Sequence, residues 1–182
     1  YNMKSAALSV PGGAVANFLL ESANFGALIR ASVILGAEAL QDGFVDYLVA
    51  EIYCMALAAN PASFTGCAAQ YVDAYLASLA ESESTAATLA AIRATISQFA
   101  FAAQTITDAG DPNNYAQHMV TAETPTYVIA VVGDGVENLP DQVIPNGFTN
   151  PVQALMAEKM PLAGTLPLAR LLGAQKLNNV AG

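Results

Sequence analysis

Two carboxylates follow one apolar stretch closely enough to share its chemistry. The run Thr124-Pro125-Thr126-Tyr127-Val128-Ile129-Ala130-Val131-Val132 is β-branched and almost wholly apolar. It ends at Gly133-Asp134-Gly135, and Asp141 follows in Leu139-Pro140-Asp141-Gln142-Val143-Ile144-Pro145-Asn146. In open sheets flanked by helices, ligands and reacting groups gather outside the carboxyl ends of the strands. A carboxylate placed there can orient an imidazole and stabilise its charged form during acyl transfer. Asp134 has a second reading, in which it bonds the backbone amides of its own turn. No metal chemistry is indicated: His118 is the sole histidine, and Asp134-Gly135-Val136-Glu137-Asn138 departs from the calcium-loop pattern of alternating acids ahead of glycine. No cofactor is implied.

These groups need elements to position them. Ser5 to Val10 is a short apolar run stopped by Pro11-Gly12-Gly13, which predicts a strand and a tight turn. Helical stretches follow from about Ala14 to Glu21 and from Phe25 to Leu35, the second ended by Gly36. Leu40, Phe44, Tyr47, Leu48, Ile52 and Met55 fall three or four apart, and Asn60-Pro61 breaks that face. The next face is Tyr71, Val72, Tyr75, Leu76 and Leu79. Leu89, Ile92, Ile96, Phe99, Ala103 and Ile106 then predict one long helix, with Ser82 or Ser84 as N-cap and Gly110-Asp111-Pro112 closing it. After Thr124 the apolar run suits an inner parallel strand, buried on both faces. Short helices near Pro151 to Lys159 and Leu166 to Leu172 complete the chain.

Parallel strands require a crossover, and residues 11–123 would make an enormous one. The economical reading is an α/β fold in which an all-helical cap, residues 14–123, interrupts a sheet between the core strand and turn of 1–13 and the strand, acid loop and helices of 124–182.

Composition excludes several classes of function. The 182 residues are 54% hydrophobic and only 12% charged, which excludes a disordered chain. Fifteen acidic residues against six Lys and Arg give a net charge of −9, so there is no basic footprint for nucleic acid or anionic lipid. The longest uncharged run, Ile52 to Val72, is broken by Asn60-Pro61 and predicts two buried helices around a turn, with no transmembrane segment.

The acid loop resembles the α/β-hydrolase loop that carries the triad acid, and the likeness extends along the chain. The Ser5 to Gly13 strand and turn, Phe101-Ala102-Ala103-Gln104-Thr105, Asp108-Ala109-Gly110-Asp111-Pro112-Asn113-Asn114-Tyr115-Ala116, the Gly133 to Asn146 loop, and Pro161-Leu162-Ala163-Gly164-Thr165-Leu166-Pro167-Leu168 are similar to the C-terminal half of the bacterial virulence-factor or extracellular lipases. These blocks cover about a third of the chain and lie in family order. The resemblance implies a partial α/β-hydrolase sheet with a helical lid. It also implies a secreted or surface-anchored enzyme that hydrolyses acyl esters with a Ser-Asp-His triad, Asp141 being the acid and Asp134 the less favoured alternative.

No Gly-x-Ser-x-Gly pentapeptide occurs among these residues. The resemblance puts the nucleophile upstream of Ser5 and the histidine beyond Gly182, so the chain is expected to be a piece of a longer hydrolase and inert by itself. His118 precedes Asp141, whereas these hydrolases run Ser, acid, His. A hydrogen-bonded surface histidine is the plainer reading. Cys54 and Cys67 lie on either side of the Asn60-Pro61 turn; in a secreted protein they could staple two cap helices, and otherwise they are small buried thiols.

The implied substrate is a lipid or small acyl ester. Phe18, Leu19, Phe25, Phe99 and Phe101 are candidates for an acyl trough, or for contact with a lipid interface through the cap, although stripes at helical spacing are more often core. Two other functions fit the residues: a non-catalytic helical domain binding an apolar ligand, and a hydrolase acting on another bond.

Overall fold

The computed structural model describes residues 4–50, 54, 60–147 and 162–177. Ile52, Met55, the helix expected near Pro151 to Lys159 and the tail beyond Leu177 lie outside them. The described chain is mostly helical. Strand β1 (Ala6–Ser9) is followed by α1 (Val15–Glu21), α2 (Gly26–Leu35), α3 (Glu38–Ala50), α4 (Pro61–Ala80), α5 (Ala86–Thr107) and α6 (Pro112–Thr121), then β2 (Thr126–Ile129) and α7 (Thr165–Leu171).

Some of the helices start where a side chain supplies a cap. Asn60 accepts hydrogen bonds from the Ala62 and Ser63 amides ahead of Pro61, so the dipeptide that breaks one pattern begins the next helix. Ser82 caps a 3-10 turn at Glu83–Thr85 that leads into α5. Phe44, Leu48, Ala68, Val72, Tyr75, Leu76, Leu89, Ile92 and Ile96 then interlock with Ala31 and Ile34 as one core of α2, α3, α4 and α5. Within it the Phe44 and Tyr75 rings stack at 4.9 Å.

Beyond Ile96 the buried stripe of α5 moves to Ala100, leaving Phe99 41% and Ile106 81% exposed, contrary to expectation. The reason lies in the partner: this end of α5 packs on α1, where Gln104 accepts a bond from the Ala16 amide. Glu83 to Thr121 is a helical run long and apolar enough to cross a membrane, but Asp108–Gly110 and Pro112 interrupt it, and Leu89, Ile92, Ile96 and Ala100 are core.

Cys54 and Cys67 are disulfide-bonded, with their Cα atoms 5.8 Å apart. A bond closing a loop of this length stabilises by about 3 kcal/mol on a chain-entropy model. Cys67→Ser should therefore lower the thermal midpoint measurably in oxidising buffer, and added reductant should bring the wild type down to the same midpoint.

The two strands pair in parallel, with Ala6 opposite Thr126 and Ser9 opposite Ile129. The sheet ends there: two strands are all that pair among the described residues. This corrects the α/β fold class and the partial α/β-hydrolase sheet expected from the sequence; the architecture is that of a small helical protein with one strand pair. The apolar run at 124–132 misleads because its strand is not covered on both faces. Thr126 and Val128 are half-buried, whereas Tyr127, Ile129, Val131 and Val132 are exposed.

Candidate functional site

The segments at the carboxyl ends of the two strands meet, and glycines let them approach. After β1 the chain passes Val10 (φ 47°), Gly12, Gly13 and Ala14 (φ 54°) into α1. A Cβ on Gly13 would lie 1.8 Å from Asn113 Oδ1, so a side chain there would displace the Asn113 amide from its bond to the Leu162 carbonyl. Gly13 and Gly164 form an antiparallel bridge. Gly164 has φ +99°, and a Cβ there would meet the Pro145 carbonyl at 2.1 Å, so glycine is required on both counts.

Asp111 locks this turn. It is 1% exposed. Its Oδ1 accepts from the Ala14 and Asn113 amides at 3.0 and 2.9 Å, and its Oδ2 from the Val15 amide and Gln104 Nε2, both at 2.8 Å. Burial alone would raise this carboxyl, but the Gln104 side chain and the Val15, Asn113 and Ala14 amides together hold it below its ordinary value. Its stabilisation is thus present above the unfolded pKa and is lost as the pH falls through the folded one. Asp111→Ala leaves several buried donors without an acceptor and should cost about 3 kcal/mol in denaturant unfolding at neutral pH, with a smaller penalty in acid.

The acid loop closes over the same place. The Asp141 amide donates to the Val131 carbonyl at 2.9 Å, and Asn146 Nδ2 donates to that same oxygen. Asp141 Oδ1 accepts from the Val143 and Ile144 amides at 2.7 and 2.9 Å, while Oδ2 takes no hydrogen bond among the described residues. The Gln142 carbonyl accepts from the Asn24 amide and the Ser22 hydroxyl at 3.0 and 3.1 Å. Ile144 packs against Ala14, Phe18 and Ala163, and the Thr165 amide donates to Pro145.

Asp134 is bonded differently. Its Oδ1 accepts from the Val136, Glu137 and Asn138 amides, and its Oδ2 from Asn138 Nδ2. Those donors, the Val136 amide foremost, hold its carboxyl far below the usual range. Asp134 is a turn-holding group whose oxygens are both engaged.

No family model, curated protein or solved structure matches this chain. Segments far apart in sequence are brought together here: Gly12 and Gly13, Gln104, Asp111 and Asn113, residues 141–146, and Ala163 to Thr165. His118 is not among them; it lies exposed on α6 beside Tyr115, with ring centroids 6.3 Å apart. Phe18 turns inward beneath Gly12, whereas Phe25, Phe99 and Phe101 are exposed. Among the described residues no cluster of His, Cys, Asp or Glu could hold a metal.

Sequence reasoning treated Asp111 as a helix breaker and overlooked its clamp. The signal was Asp-Pro, a helix N-cap followed by proline at the first helical position, with Asp111 capping α6 and α1 together. Glu21 gives no signal in the sequence either; it is 6% exposed, with both carboxylate oxygens buried and without a hydrogen-bond partner among the described residues.

Proposed function

We propose that this chain supplies the acid-bearing loop and a helical cover for a serine-type acyl-ester hydrolase, with Asp141 as the carboxylate that positions the reacting imidazole. The observation that carries the reading is the unequal use of the Asp141 oxygens. Two amides fix Oδ1, so the carboxylate cannot rotate freely, and Oδ2 is left without a hydrogen bond among the described residues, open to a further donor. An imidazole Nδ1–H held there would be kept in one tautomer and its positive charge stabilised. Asp134 instead uses both oxygens to hold its own turn.

The nucleophile and the histidine belong to residues other than these 182. The reaction they would perform is attack of a serine hydroxyl on an ester carbonyl, with the imidazole as base and then as acid. The reading rests on the local geometry of the loop and does not call for a larger sheet. An oxidising, extracellular setting suits the disulfide. The exposed Phe99, Phe101 and Ile106, on a stretch of α5 with no charge from Ala94 to Thr107, suit contact with a neutral lipid interface.

The test is hydrolysis of a short-chain ester by the natural polypeptide that contains these residues, with Asp141→Asn and Asp134→Asn compared. Loss of turnover in the first alone supports the assignment. Loss in Asp134→Asn alone moves the role there, and full activity in both removes the hydrolase reading of this loop.

A further inference from the structure

Helices α1 and α2 meet at a bend of 98°, and the residues of that bend reach the acid loop. Ser22, itself buried, donates its hydroxyl to the Gln142 carbonyl and accepts from the Phe25 amide, while the Asn24 amide donates to the same carbonyl. One residue before Ser22, at the carboxyl end of α1, stands Glu21. Both its oxygens are enclosed without a hydrogen-bond partner among the described residues. A helix carboxyl terminus already carries partial negative charge, so an ionised carboxylate is doubly disfavoured there.

We propose that the α1–α2 bend is a proton-controlled latch on the acid loop, closed while Glu21 is buried as the neutral acid and opened when its ionised form turns out to water. Opening would swing Ser22 and Asn24 off the Gln142 carbonyl and release the segment that carries Asp141. Its effect on turnover rests on the hydrolase reading, but the latch itself does not.

The charges near the bend leave Glu21 uncompensated. On α2 the only charged residue is Arg30, whose guanidinium is engaged by Asp73 of α4 and by the Leu20 carbonyl. On α5 it is Arg93, whose buried Nε has no hydrogen-bond partner and which forms no ion pair with Glu21 among the described residues; in the tied segment 141–146 it is Asp141, another carboxyl group, Asp134 and Glu137 lying in the exposed turn before it. Burial accordingly pushes the Glu21 carboxyl from 4.5 up to about 7. The closed form binds the proton more tightly than the open one. Opening is therefore rarest below pH 4.5, becomes about ten-fold more frequent per pH unit up to about 7, and levels off above that.

Amide hydrogen exchange from pH 4.5 to 8, corrected for intrinsic rates, reads this directly in the peptides containing Asn24 and Val143 to Ile144. Wild-type protection should fall about ten-fold per pH unit and then plateau, while peptides around Leu76 and Ile96 stay protected. Glu21→Gln should abolish the pH dependence. Ser22→Ala should leave the loop weakly protected at every pH, and Glu21→Met provides a second non-ionising variant if glutamine does not fold. The proposal is overturned if wild-type protection is flat, if a non-ionising variant keeps the pH dependence, or if the core peptides lose protection in step with the loop. These readouts need no activity, so failure of the latch is distinct from failure of the hydrolase reading.

Discussion

Asp141→Asn is expected to lower kcat for ester hydrolysis by about four orders of magnitude, with KM little changed, in the polypeptide that brings serine and histidine to this loop. The size follows from the serine-protease template, where the same exchange leaves the geometry intact but presents the imidazole in the wrong tautomer, at about 10⁴ in rate. The exchange is close to isosteric. Asparagine can still accept from the Val143 and Ile144 amides through its oxygen, so the loop should hold its shape. What changes is the outward atom, which becomes a donor where an acceptor is needed. Asp134→Asn places its loss elsewhere: an exposed turn loses a charge-assisted contact to Asn138, with slight effect on rate. A single-turnover burst with each variant separates the two cases. Normal acylation by Asp141→Asn would end the assignment.

The second large effect is expected at Arg30. Its guanidinium is 4% exposed and lies fork to fork with Asp73, with Nη2 at 2.8 and 2.9 Å from the two carboxylate oxygens and Nε at 3.1 Å from Oδ1. Nη1 donates to the Leu20 carbonyl at 2.8 Å, and Gly26 leaves the space this requires, since a Cβ there would stand 2.8 Å from Nη1. Arg30→Ala removes all four bonds and opens a void between α1, α2 and α4. Breaking a fully buried pair costs about 3–5 kcal/mol, and the partial exposure of Asp73 lowers the figure here to about 2–3 kcal/mol. Urea unfolding should show that loss. Arg30→Lys should recover only part of it, because an ammonium cannot make the planar two-point contact. The double variant Arg30→Met with Asp73→Leu should be less damaged than Arg30→Ala alone, since it buries no unpaired charge. Equal stability of Arg30→Ala and wild type would show that the pair contributes nothing.

Much of the helical body was legible because periodicity reports burial directly. Phe44, Leu48, Val72, Tyr75, Leu76, Leu89, Ile92 and Ile96 all lie where their spacing placed them. Phe99 and Ile106 continue the same pattern and yet face water, because periodicity says which residues share a face and not how far the neighbouring helices extend. The strand segments and their parallel pairing were legible too, the first from a short apolar run stopped by Pro11-Gly12-Gly13 and the second from a β-branched run ended by Gly133. The size of the sheet was not, since an apolar strand reads the same whether or not anything covers it. Near the strand ends, Asp134's turn role could be read from the habit of Asp in turns, whereas the role proposed for Asp141 came from its sequence context. Asp111 and Glu21 could not be read in this way, because a cap shared between two distant helices and a carboxyl without a partner leave no spacing to read.

The register that sets Ala6 against Thr126 also bears on the order in which the molecule can form. Joining those residues early would mean closing a loop that spans nearly the whole helical body, at roughly (3/2)RT ln n in chain entropy before any contact repays it. The main helical core joins elements nearer in sequence than the two strands, α2 with α4 above all, so its closure cost is smaller. Once α1 to α6 have condensed, the ends of that loop are already near one another, and most of the closure cost has been met by the helices. The strand pair, the acid loop and the Gly13 to Gly164 bridge are therefore expected to order last, so a destabilised helical core should show itself first as a site that fails to assemble.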